Sequence, residues 1–221
     1  MTRHRRLIAL ALAGGALLIA PAAPAGAAAA DVVVPKGGTV AGRTYAQWLG
    51  AWWQLRLNRP PDVVICREVG DVAVLIGGRS ALSGGESDAC TVPLGQPVYL
   101  NGLAVGCSTM QTGALHGDTD AQLRSCARRQ FRGARGLRAT LDGEVIAGYG
   151  GLVAASPVVA VAMPRVNVLK TRKRSGRVAA YGVGLLLQGL TAGTHTVRQS
   201  GTLSDGRTLR LTYKLRVAPP V

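Results

Sequence analysis

Acids and aromatic residues are scarce in this chain. Across 221 residues, 11 Asp+Glu stand against 26 Lys+Arg, giving a formal charge of +15, and Phe, Trp and Tyr together make up 4%. The hydrophobic share of 48% nevertheless excludes the composition of a disordered polymer. No apolar run is long enough to span a bilayer as a helix: Leu7 to Ala20 has 14 residues, where about 20 are needed. The sequence also lacks G-x-S-x-G, S-x-x-K, H-E-x-x-H, a Walker loop and an EF-hand loop, which removes the usual signatures of serine, zinc and nucleotide hydrolases. Glu68, Glu86, Asp88 and Glu144 are left as acids for a two-carboxylate glycosidase, with no spacing that singles out a pair. No cofactor motif is present, and no catalytic residue is assigned.

The amino terminus has a clear pattern. Arg3, Arg5 and Arg6 precede the apolar run, and small residues follow it through Ala30, as in a general-secretion signal peptide spanning 1–30 and cleaved near Ala28 to Ala30. The remaining 191 residues, 31–221, suffice for one domain with its own core and carry a charge of +12. Arg, Ala and Gly are abundant together, as GC-rich coding sequence also produces, so basicity alone is thin evidence for an anionic partner. All four cysteines, Cys66, Cys90, Cys107 and Cys126, fall in the exported part, where an even count favours disulfides. None is spaced from another by two to four residues and no His sits among them, which argues against zinc. Four cysteines allow three pairings. Cys66 with Cys90 and Cys107 with Cys126 close the shortest loops and are the expected ones.

Two helices are marked. Thr44-Tyr-Ala-Gln47 is a capping box, and the helix it opens ends before Arg59-Pro60-Pro61. Tyr45, Trp48, Leu49, Trp52 and Leu55 share one face of it, with Trp53 beside them. Such a cluster serves either as a platform for sugar rings or as packing against a sheet, and the i, i+4 spacing favours packing. On that reading Trp52→Ala costs about 3–5 kcal/mol. A second capping box, Thr119-Asp-Ala-Gln122, opens a helix with Leu123, Cys126, Ala127 and Phe131 on one face and Arg124, Arg128 and Arg132 on another.

The rest reads as short strands: Val72–Ile76, Pro97–Leu103, Val158–Met163, Val178–Gln188, Thr194–Leu203 and Arg207–Val217, plus a hairpin turning at Asp142-Gly143. In the last strand the apolar residues Leu209 to Val217 alternate with Thr208, Arg210, Thr212, Lys214 and Arg216, so one side is core and the other water. The predicted fold is mainly β: an antiparallel sandwich, immunoglobulin-like or jelly-roll-like, with two short helices.

Candidate anion-binding residues are the row Arg124, Arg128 and Arg132, and the loop Lys170, Arg172, Lys173 and Arg174, closed by Arg177. Like charges at helical i, i+4 spacing mildly destabilise a helix, and clustered cations are all that electrostatic binding needs. A solvated helix face and a solvated inter-strand loop are the plainer accounts. His195 fits a structural role at a sandwich end. His116, near Asp118 and Asp120, offers oxygen ligands and one imidazole, although its acids also sit where helix capping needs them.

The chain resembles a family of exported, uncharacterised bacterial proteins, many of them actinobacterial. The resemblance runs through a T-Y-x-x-W-x-x-x-W-W opening (Thr44, Tyr45, Trp48, Trp52, Trp53) and a C-x-V-P-x-G turn (Cys90, Val92, Pro93, Gly95). It continues in the Asp142-Gly143 hairpin and in the closing segments holding Gly193, His195, Val197 and Thr212, Tyr213, Leu215, Val217. It implies an extracytoplasmic sandwich-like domain and supplies no active site. The expected function is that of an exported, non-catalytic domain at the cell envelope binding an anionic or carbohydrate polymer, with nucleic acid disfavoured as partner. A secreted two-carboxylate enzyme and a secreted inhibitor or effector are the alternatives.

Overall fold

The computed structural model describes residues 29–61, 65–76 and 86–219. Eleven strands form two sheets. The first contains β1 (Ile65–Val69), β2 (Val72–Ile76), β4 (Val98–Ser108), β9 (Ser175–Leu187) and β7 (Ala154–Ala155) in that spatial order, with β8 (Val159–Ala162) also paired to β9. The second runs β3 (Glu86–Pro93), β11 (Thr208–Ala218), β10 (Gly193–Thr202), β5 (Arg135–Leu141), β6 (Glu144–Val145). Three helices complete the order: α1 (Ala29–Val32), α2 (Tyr45–Leu57) and α3 (Asp120–Phe131).

The sandwich-like β architecture agrees with the sequence pattern, with two differences. β2 pairs with β4, and β3 with β11, in parallel. Both follow from the route of the chain, which leaves the first sheet after β2, lays β3 on the edge of the second, and returns as β4; parallel neighbours need such a crossover. The second difference is α1, a single turn that the sequence pattern does not mark. Ala29 is buried there and Val32 carbonyl accepts from Gln188 N at 2.8 Å, so the packed body already includes Ala29. The rest of 1–30 lies outside the described residues.

Both expected capping boxes form: Thr44 and Gln47 bond reciprocally at the start of α2, and Thr119 and Gln122 at the start of α3. Asp142 (φ 53°) and Gly143 (φ 93°) make the left-handed two-residue turn that joins β5 to β6.

The helices take opposite faces of the first sheet. On β4, Tyr99 and Gly106 point towards α2: Trp48 stacks on Tyr99 at 6.3 Å, and a Cβ on Gly106 would stand 2.8 Å from the Trp53 ring. Val98, Leu100, Leu103, Val105 and Cys107 point the other way. There Leu103 meets Gly201 of β10, and Cys107 bonds Cys126 of α3. The second sheet and α3 thus form one layer. Cys66–Cys90 (Cα–Cα 5.5 Å) ties the edge strand β1 to β3 across the two sheets, and Cys107–Cys126 (6.0 Å) ties β4 to α3. These are the expected pairings.

Candidate functional site

Strands β10 and β11 form a long hairpin, and alternation sends Val197, Leu211, Tyr213 and Leu215 inward to full burial. The same alternation sends Arg210, Lys214 and Arg216 of β11 and Arg198 of β10 to the outer face, joined by Arg135 and Arg138 of β5. All six are exposed, and none makes an ion pair among the described residues. The register sets each cation opposite a hydroxyl. Arg210 and Arg138 flank Ser200, Arg198 lies between Thr212 and Thr140, Lys214 faces Thr196, Arg216 faces Thr194, and Arg135 faces Thr202. Like charges directly opposite destabilise a sheet, and this pattern avoids them. The outward positions of β5, β10 and β11 hold no carboxylate. The result is a sheet face of cations and hydroxyl groups, with about 5 Å between strands and about 7 Å between alternate residues along a strand, and with a register shift against β5 between Ser200 and Thr202. Guanidinium and hydroxyl groups together are the donor set used on phosphate and carboxylate oxygens.

The cations singled out from the sequence lie on α3 and on the β8–β9 connection of the first sheet. Arg124, Arg128 and Arg132 are exposed on α3; Arg128 lies over the Tyr181 ring at 5.6 Å, and Arg132 caps the helix C-terminus. Helix α3 passes through Ala134 directly into β5, so the row is followed in sequence by Arg135 and Arg138. Lys170, Arg172, Lys173 and Arg174 are exposed on the connection from β8 to β9, where Lys173 Nζ donates to Thr109 O at 3.4 Å. Arg177 has a different role. Its guanidinium pairs with the Asp120 carboxylate and donates to Asp118 O, docking the start of β9 on the start of α3. From sequence, β11 read only as core on one side and water on the other. The outer face emerges when β5 and β10 are laid against it in register, which no single segment reveals.

The other candidates are structural. His195 places Nδ1 2.7 Å from Asp142 Oδ2 and Nε2 2.9 Å from Thr191 O, tying the β5–β6 turn to the start of β10. His116 Nε2 lies 3.0 Å from Asp118 Oδ1, and Thr119 rather than an acid caps α3. Among the described residues no group of three or more His, Cys, Asp or Glu is arranged to hold a metal ion. Glu68 lies on β1 and Glu86 and Asp88 on β3, bridged edges of the two sheets, whereas Glu144 lies on β6 at the opposite edge of the second sheet. Four strand spacings, about 19 Å, separate Glu144 from β3. In the aromatic cluster, Tyr45 and Trp48 are buried, with Tyr45 OH donating to Val34 O at 2.6 Å, and Trp52 Nε1 donates to Leu75 O at 2.8 Å. These contacts hold α2 on the sheet, with Tyr45 and Trp48 withdrawn from solvent and Trp52 and Trp53 half-buried.

No protein-family model and no curated protein matches the chain. Among solved structures it is similar to the solution structure of amebosin, at 9% identity and a TM-score of 0.22, over 61% of this chain and 100% of that one. A likeness at that level bears on neither fold nor function.

Proposed function

We propose that the protein is an exported, non-catalytic domain that holds an anionic polymer of the cell envelope against the outer face of its second sheet. The observation that carries this reading is the set of six exposed cations, Arg135, Arg138, Arg198, Arg210, Lys214 and Arg216, each opposite a hydroxyl with no acid among them. An extended sheet face suits a chain of repeated phosphates or carboxylates better than one small anion, which is held by a concave site. The Arg124–Arg132 row extends the positive field towards α3, and the +12 charge of 31–221 favours encounter with such a polymer. Export is supported by the Arg-rich start and apolar run of 1–30 and by two disulfides, which persist in oxidising compartments.

Sedimentation with purified cell wall tests the proposal. The protein is expected in the pellet at low salt and in the supernatant at high salt, and Arg198→Glu/Arg210→Glu is expected to stay in the supernatant at both. Salt-independent retention, or retention unchanged by that double reversal, contradicts it.

A further inference from the structure

A second site lies around the edge of β4, away from the basic face. Strand β2 runs beside β4 only from Val98 to Leu100, and among the described residues no strand pairs with that edge of β4 further along. At the same place the β4–β9 register slips between Asn101 and Ala104, so that Gly102 and Leu103 both face the second sheet. Bulges of this kind end pairing and re-aim side chains, and they recur beside functional sites. The edge opens into a cavity of about 420 Å³, within the range of small-molecule sites. Trp52 and Trp53 of α2 form one wall, and Leu209, Leu211 and Tyr213 of β11 the other.

The lining is mainly apolar; Arg56, Gln111 and Arg207 bring polar groups to it, with Arg56 donating to Pro60 O and Pro61 O and Arg207 to Asp205, and Asn101 and Trp53 each hold a buried polar atom without a partner. Asn101, 5% exposed, donates from Nδ2 to Gly102 O at 3.0 Å, which fixes the amide orientation and leaves Oδ1 without a partner. Trp53 Nε1 is likewise buried without one. Trp52 supplies the contrast, since its own Nε1 is satisfied by Leu75 O. Buried polar atoms are rarely left unpaired, and where they are, an absent ligand is one of the few physical reasons. Trp53 is also held close by design of the backbone: its ring covers Gly106 at a distance that any Cβ would violate.

We propose that this cavity binds a small, mainly apolar molecule bearing a hydroxyl group, whose O–H donates to Asn101 Oδ1. Leucines and tryptophan rings take the hydrocarbon part. Neither polar atom is open to water, so entry shifts the indole or the amide, and Trp53 itself reports the event.

The test titrates the full-length disulfide-bonded protein with 1-octanol and follows tryptophan fluorescence and melting temperature. All three tryptophans lie on α2. The expected result is a saturable change with wild type and a loss of about tenfold in affinity with Asn101→Leu, the size of one buried hydrogen bond. Val168→Phe, on the cavity rim, removes binding by filling the space, and it keeps the test decisive should Asn101→Leu fail to fold. Arg198→Glu/Arg210→Glu, on the other face, binds octanol as wild type does, which separates this site from the polymer face. No saturable change with octanol, equal binding by Val168→Phe, or undiminished binding by a folded Asn101→Leu overturns the proposal.

Discussion

Single residues in α2 carry unequal shares of the stability. Trp48 is fully buried, stacks on Tyr99, and has Arg43 over its other surroundings at 5.0 Å, whereas Trp52 is half-buried. The cost of about 3–5 kcal/mol expected for truncating a core aromatic therefore belongs to Trp48→Ala, and Trp52→Ala should cost less; urea unfolding of the two variants measures the difference. Buried tyrosines set a second residue-scale expectation. Burial pushes the Tyr45 phenol up to about 12, and raises Tyr99 and Tyr149 for the same reason. Phenols in the unfolded chain ionise near 10, so the folded state binds these protons more tightly. Stability is intact below about pH 10 and falls as pH rises through 12. Urea midpoints at pH 9 and about pH 11 test this, and an unchanged midpoint contradicts it. Much at this scale was legible: the capping boxes, the buried face of each helix and the Asp142-Gly143 turn follow from local chemistry. Trp53 was not, because its place over Gly106 depends on a strand more than fifty positions away.

At the scale of elements, the disulfides do different work. Cys107–Cys126 fixes α3 to β4, closing a separation of 19 positions, and removing it as a Cys107→Ala/Cys126→Ala pair is expected to cost about 3 kcal/mol by freeing the unfolded chain. Cys66–Cys90 joins the edges of the two sheets over a separation of 24. Its loss should loosen β1 and β3 first, so amide exchange in β1 is expected to accelerate while β9 and β11 stay protected. Uniform acceleration through all strands contradicts that order. The pairing was foreseen from loop lengths, and β2, β9, β10 and β11 were close to the observed spans. Strands β1 and β3 were missed. Ile65–Val69 and Glu86–Pro93 carry charges and cysteines in place of an apolar alternation, and they are placed by the bridge and by pairing with β2 and β11. The parallel pairings escaped notice for the same reason: direction is decided by where the chain crosses between sheets, and that information is spread over the whole sequence.

For the whole molecule, the distribution of charge matters more than its sum. Sequence periodicity drew attention to Arg124, Arg128 and Arg132 because they recur on one helix. The larger cationic surface is assembled from three strands that are not all adjacent in sequence, and its order is a property of register. The outward positions of β10 are Thr194, Thr196, Arg198, Ser200 and Thr202, so the cations of β5 and β11 face hydroxyls, and no carboxylate stands among them. On the proposed function, this sheet face binds repeated anions. Fluorescence-detected affinity for a long inorganic polyphosphate, measured from about 50 to 200 mM salt, tests it most directly, because each neutralised anion steepens the dependence of log affinity on log salt. Wild type is predicted to show a slope of several units, Arg198→Glu/Arg210→Glu a slope shallower by about two with weaker binding throughout, and Arg124→Glu/Arg128→Glu a smaller change. A wild-type slope near zero, or a slope that the double reversal on β10 and β11 leaves unmoved, would contradict the account.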